Sequence, residues 1–214
     1  MTTANCPSCG APIQFRWSNA VQTVCEYCRS VLIRHDVDLQ RVGQVATIPE
    51  DASPIQLGTE GIYSGHGGNR AFQVIGRIVY EYEQGSWNEW HVIFNDGQSG
   101  WLADAQLEYA ISFLTVPPAS LPAESMVSRD NEFHWNGAVY QVTSITRAHY
   151  VGVEGELPFE YWDKQDLTFI DLRSRDAHFG TIDYSENPPL LFLGEAVEYD
   201  DLRLKNVREF EGWR

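Results

Sequence analysis

Four cysteines carry the clearest chemical signal in this 214-residue chain, and all of them fall within the first 28 positions. They stand as Cys6-Pro-Ser-Cys9 and Cys25-Glu-Tyr-Cys28, a C-x2-C-x15-C-x2-C pattern. Two residues between cysteines allow a tight turn that aims both sulfurs at one point, and two such turns complete a tetrahedron of thiolates around Zn2+. Gly10, directly after the first pair, can take the positive φ that the turn needs. Arg29 and Ser30 follow the second pair and bring a cation and donors against the negative charge of a four-thiolate site. Two disulfides, a redox C-x-x-C and a rubredoxin-type iron site compete with zinc. The start MTTANCPSCG lacks the basic and apolar regions of a secretion signal, which weighs against disulfides. No βαβ pattern surrounds the motif, as a thioredoxin-like site requires. Structural zinc on Cys6, Cys9, Cys25 and Cys28 is therefore the expected cofactor, in a site closed to catalysis because thiolates fill every place.

The next chemistry-bearing stretch is YEYEQGSWNEW at 80–90. In a strand, Trp87, Glu89 and His91 project from one face, where a carboxylate could orient an imidazole as an acid–base pair. A solvated sheet face is the simpler reading. In EGELP at 154–158, Glu154 and Glu156 share a side if the chain is extended, and paired carboxylates can share a proton or bind a metal or an ammonium group. An acidic edge strand blunted by Pro158 is the simpler reading there. Trp87, Glu89, Glu154 and Glu156 are the candidate ligand- or partner-binding residues. SGHGGN at 64–69 lacks the Lys and Ser/Thr of a phosphate loop, and its His66 is expected on an exposed turn. The histidines show no H-E-x-x-H, the serines no G-x-S-x-G elbow, and no cysteine lies outside the knuckles. No catalytic residue is assigned, and the expectation is a protein that is not an enzyme.

The formal charge of −15 and a pI near 4.6 repel phosphate, which argues against nucleic acid and anionic membrane surfaces and favours cationic or basic partners. Residues 1–45 carry Arg16, Arg29, Arg34 and Arg41 against Glu26, Asp36 and Asp38, so the acidity belongs to the rest. Nucleic-acid contacts, if any, fall to Arg16, Trp17, Arg29 and Arg34 in the head. No apolar run approaches the roughly 18 residues of a membrane span, so membrane insertion is not expected and the expected location is the cytoplasm.

Between the knuckles, IQFRW and VQTV read as strands turned at Ser18-Asn19, and residues 1–35 resemble a zinc ribbon. Residues 36–56, with PEDASP, read as a linker. Beyond it the pattern is β. FQVIGRIVYEY at 72–82 places Phe72, Val74, Ile78, Tyr80 and Tyr82 on one face, and WNEWHVIF places Trp90, Val92 and Phe94 inward. Asp96-Gly97 reads as a type I′ hairpin turn before GWLAD. YQVTSITRAHY at 140–150 looks like a second copy of FQVIGRIVYEY, and the stretch ending at Ile182 a second copy of the one ending at Leu102. Ala103–Glu108 has helix formers, and EYDDLRLKNVREF at 198–210 suits a helix or a strand. TVPPASLPAESM at 115–126, with three prolines, separates a first β unit at 57–114 from a second at 127–214. The expected fold is mainly β: a small ribbon, then an all-β body of two related small-barrel or sandwich-like units.

Four motifs in order, FQVIGRIVYEYEQGSWNEWHVIFNDGQSGWL, FHWNGAVYQV, VEGELPF and LFLGEAV, resemble the bacterial family named domain of unknown function 4178, from about Leu57 to Leu204. Members of that family often carry a zinc ribbon ahead of the β body. The resemblance implies an association with polyamine metabolism and the membrane-stress response, and it carries over no catalytic residue. The leading functional expectation is a non-enzymatic adaptor whose acidic β body docks onto a partner protein. A receptor for a polycation such as spermidine, through Trp87, Glu89, Glu154 and Glu156, is the alternative; an enzyme of unknown class ranks last.

Overall fold

The computed structural model describes residues 2–35, 38–45, 48, 51–65, 68–160 and 166–210. Among these the chain forms strands and two short 3-10 turns, with no α-helix. The head contains β1 (Thr2–Asn5), β2 (Pro12–Phe15), β3 (Gln22–Val24), β4 (Ser30–His35) and β5 (Asp38–Gln44). A first meander follows: β6 (Glu60–Gly65), β7 (Gly68–Tyr82), β8 (Gly85–Phe94), β9 (Ser99–Ala105) and β10 (Glu108–Thr115). The second comprises β11 (Glu132–Trp135), β12 (Ala138–Leu157), β13 (Leu167–Arg173), β14 (His178–Asp183) and β15 (Leu190–Val197). His66, expected on an exposed turn, lies outside the described residues.

The expected hairpin between the knuckles does not form. β2 pairs with β1 and β3 with β4, so each strand pairs across its own cysteine turn instead of across Ser18-Asn19. β5 pairs with β4, so part of the stretch read as a linker extends the head's sheet.

Within the body, neighbouring strands pair antiparallel in the order β7-β8-β9-β10-β15-β14-β13-β12. β12 then pairs back onto β7, from His149 opposite Glu81 to Gly155 opposite Gly76. Eight strands thus form a closed ring, which leaves no free edge within it. The meanders meet like with like, second strand to second (β7 to β12) and last to last (β10 to β15). That is the pairing of a pseudo-two-fold axis.

The strand registers of the two meanders match in detail. Val74 opposite Val92 matches Val142 opposite Leu172, and Gly76 opposite His91 matches Ser144 opposite Asp171. Each ladder breaks at the same place, a bulge between Val74 and Gly76 in β7 and between Val142 and Ser144 in β12. Further along, Val92 opposite Gly100 matches Leu172 opposite Gly180.

The bulge divides what reads as one apolar stripe. Because an extra residue reverses the side-chain alternation, Phe72 and Val74 join a core with Trp90, Val92, Phe94 and Ile111. Ile78 and Tyr80 face the ring interior, with Trp101, Val153 and Phe169. The equivalent outer core of the second meander gathers Trp135, Tyr140, Val142, Ile170 and Leu172.

Two local expectations are corrected. Ala103–Glu108 is not helical: Ala105 pairs with Glu108 across Gln106-Leu107, both at positive φ (54° and 71°), because the alternating pattern of β9 and β10 outweighs helix propensity. At Asp96-Gly97 only Gly97 has positive φ, with its N–H on Phe94 O (2.9 Å) and Phe94 N–H on Gln98 O (2.9 Å). This is a three-residue loop, a type I turn plus a left-handed residue, instead of type I′.

Candidate functional site

Two sites stand out, one in the head and one inside the ring. In the head, the ligand atoms of Cys6, Cys9, Cys25 and Cys28 all lie within 4.8 Å of one another. Cys6 Sγ is 3.7 Å from Cys28 Sγ, and Cys9 Sγ is 3.7 Å from Cys25 Sγ. A disulfide needs about 2.05 Å, whereas four sulfurs at about 2.3 Å from one metal sit about 3.8 Å apart. The backbone explains the convergence. Gly10 N–H donates to Cys6 O and Cys6 N–H to Ala11 O, while Arg29 N–H donates to Cys25 O and Cys25 N–H to Ser30 O. Gly10 (φ 76°) and Arg29 (φ 60°) hold the same left-handed position after their knuckles. The hydroxyl and backbone N–H of Ser30 pull the Cys28 thiol down, while burial holds the Cys25 thiol up. These residues fit one tetrathiolate metal ion, which would tie the two hairpins of the head together.

The head is fastened to the ring. β3 pairs with the end of β12, Glu156 opposite Thr23. The buried Glu156 carboxylate accepts the N–H groups of Arg16 (2.7 Å) and Trp17 (3.0 Å), at the turn between β2 and β3. Trp17 packs edge-on against His91, ring centroids 5.2 Å apart.

Glu154 and Glu156 do not share an environment. Gly155 (φ 66°) stands between them, and a Cβ there would lie 2.2 Å from Ile75 O, so only glycine fits. Glu154 instead accepts from the buried Arg77 (3.3 Å), which also bonds Asp51 and Asn88 and lies 4.6 Å from the centre of the Trp90 ring. Nor is this stretch a blunted edge, since β12 pairs with β7 and then with β3.

The second site is a cavity of about 510 Å³, within the range of small-molecule sites. It continues inward as an apolar pocket of about 50 Å³ that shares Glu89, Ala103, Phe169, Phe179 and Thr181 with it. Residues from all eight ring strands line the two, which places them inside the ring. The mouth opens where β12 parts from β7: pairing starts only at His149 and Glu81, and Ser144–Arg147 faces the β7–β8 turn at Glu83-Gln84 across the gap.

Trp87 and Glu89, expected on a solvated face, line this cavity. Trp87 stacks on Tyr80 (4.9 Å, 23°), meets Phe169 edge-on (5.5 Å) and donates its Nε1–H to Glu89 Oε1 (3.1 Å). Burial pushes the Glu89 carboxyl up to about 8; the Trp87 N–H pulls it back, and the charges of Asp171, Asp183 and Asp104 add to the rise. His91 is fully buried and separate from Glu89: its Nδ1–H donates to Glu156 O (2.7 Å) and its Nε2 accepts from the Ser99 hydroxyl (2.8 Å).

The family described as Domain of unknown function (DUF4178) matches residues 56–199. The chain belongs to the DUF4178 family. Comparisons with curated proteins and with solved structures give no match. The DUF4178 segment spans both meanders and hence the whole ring, while the cysteine cluster lies ahead of it. Among the described residues no helix is long and apolar enough to cross a membrane.

Three groups of the DUF4178 cavity were not singled out by sequence. Asp171 sits inside with Oδ2 accepting from Ser144 (2.7 Å) and Oδ1 from Thr181 (3.0 Å); burial raises its pKa, against the pull of these hydroxyls. Asp183 lines the inner pocket, and Arg129 lines the cavity from the loop before β11. The usable signal was alternation in LTFIDLR, which puts Phe169, Asp171 and Arg173 on one face.

Proposed function

We propose that the DUF4178 ring is a receptor for a small ligand bearing an organic ammonium group, and that the cysteine head is a structural zinc module docked on it. The observation that carries the receptor reading is Glu89, a carboxyl held among Trp87, Tyr80 and Phe169 on an interior cavity, with one hydrogen bond from Trp87. Such a group is poorly solvated as an anion, and an arriving cation restores the missing charge partner. Aromatic faces add about 0.5–2 kcal/mol per ammonium contact. Polyamines such as spermidine belong to this ligand class, and the acidic surface draws them in. Calorimetry with spermidine and with butylamine at about 150 mM salt is the test. Heat that disappears in Trp87→Ala supports an interior site; heat that survives that substitution, or vanishes at this salt in the unaltered protein, reduces the effect to surface charge. For the head, elemental analysis of the purified protein is expected to return zinc in an equimolar amount, and iron instead would overturn the assignment.

A docking role has one specific feature in its favour. Tyr27, inside the second cysteine knuckle, is 72% exposed, and tyrosine is a frequent anchor at protein interfaces. A protein partner that co-purifies at moderate salt and is lost in Tyr27→Ser supports this second role; retention in that variant removes the ribbon as the docking element.

A further inference from the structure

The charges around the cavity do not all cancel. Arg173 donates to Glu108 (2.6 Å) and Arg147 lies 3.7 Å from Glu124, so two of the three arginines on the cavity wall have anionic partners. Arg129, exposed at the mouth, is in no ion pair among the described residues. Asp171 has both oxygens bonded to hydroxyls, whereas Glu89 accepts one hydrogen bond, from an indole. Glu89 inside and the Arg129 guanidinium at the rim thus share a cavity, and neither is in an ion pair among the described residues.

Arg129 is also held in place. The Ser128 N–H donates to Asn131 Oδ1 (2.6 Å) and the Asn131 N–H to Ser128 O (3.1 Å), closing a small loop around it. The preceding 3-10 turn, Glu124–Met126, is tied to β13 by the Thr168 hydroxyl on Glu124 (2.8 Å). The guanidinium is therefore carried by a braced loop over the opening. Arginine there matches the planar geometry of a carboxylate or a phosphate.

We infer that the ligand is an aminoalkyl oxyanion, a zwitterion that sends its ammonium inward to Glu89 and leaves its anionic group at the mouth on Arg129. The aliphatic spacer would lie against Trp87, Phe169 and Phe179, which line the same cavity. This rests on the reading that the cavity takes an ammonium. It adds an anion at the other end, which excludes polyamines as the best-fitting members of the class.

A matched six-carbon series separates the two statements: hexylamine, 6-aminohexanoate, 1,6-diaminohexane and hexanoate, titrated calorimetrically into the full chain. The zwitterion is expected to bind about tenfold tighter than hexylamine, the worth of one partly solvated charge-assisted contact. Arg129→Met, at an exposed position, is expected to bring that ratio to about one, and Arg129→Lys to restore part of it. Hexanoate is expected to be the weakest of the four. If 1,6-diaminohexane binds tightest, or Arg129→Met leaves the ratio unchanged, the zwitterion is overturned while the receptor stands. If no amine in the series binds, both fall.

Discussion

The two meanders of the ring share a backbone plan and differ in what they present to the interior. At matching register positions the first has Gly76, His91 and Trp101 where the second has Ser144, Asp171 and Thr181. In the first, burial drives the His91 pKa down to about 4, and the neutral ring lies between Trp17 of the head and Trp101. In the second, the corresponding carboxylate is held by two hydroxyls on the wall of an open cavity. One position has become packing and its counterpart a polar wall. The ladder and its bulges match, because register is fixed by hydrogen bonding across strands. The inward side chains, which the ladder does not constrain, differ. The cysteine head packs Trp17 against one of two equivalent places, and the other lines an open cavity.

The sharpest way to break this contrast is to remove one of the head's four clustered sulfurs. Cys25→Ser takes away one buried thiolate of the four. Structural zinc sites in small peptides are worth about 10–16 kcal/mol in apparent binding, so the head is expected to lose its fold and its metal together. Hydrogen exchange should then become fast across residues 2–35, while the β8–β9 and β13–β14 ladders stay protected. Equal loss of protection in both meanders would make the head part of the ring's own folding unit.

A second pair of substitutions asks whether the meanders are one structure or two. Trp90 and Ile170 occupy equivalent positions and are each 0% exposed. Trp90→Ala is expected to cost about 3–5 kcal/mol and Ile170→Ala about 2–5 kcal/mol. Because every ring strand has a neighbour from the closed ladder, both losses should shift one cooperative unfolding transition. Two separated transitions, each moved by only one substitution, would show that the meanders fold independently.

The four-cysteine cluster was legible because ligand spacing alone specifies it, with no distant partner needed. The β class was legible too, and so was the likeness of the two meanders, since alternation and the shared Gln-Val of 73–74 and 141–142 are local features. Ring closure was not legible: it depends on β12 pairing with β11 and β13, then β7, then β3 along its 20 residues, and no local pattern announces a strand with four partners. The faces went astray for the same reason. One unpaired residue at each bulge moves Ile78 and Tyr80 to the interior, and with them the face of β8 that carries Glu89. Asp171 escaped notice because its partners, Ser144 and Thr181, come from two other strands.

The most direct probe of the interior is the pH dependence of stability. Glu89 has its counterpart in Phe169, so the second meander supplies a ring where the first supplies an acid. The folded-state pKa of Glu89 is raised to about 8 from 4.5, with burial as the main cause. As pH rises past 4.5 the unfolded chain releases this proton and the folded one keeps it, so ionisation favours unfolding until the folded group titrates near 8. The unligated protein should therefore lose up to about 1.4 kcal/mol of stability per pH unit through this group between those limits. Glu89→Gln, which keeps the size and removes the ionisation, should flatten that slope and be the more stable protein at pH 8, with little difference near pH 4. The same variant should lose ammonium binding, since a neutral amide offers no charge to an incoming cation. Gain of stability together with loss of binding is what a carboxyl kept for a ligand produces; a carboxyl that only supports the fold would lose stability on substitution at every pH.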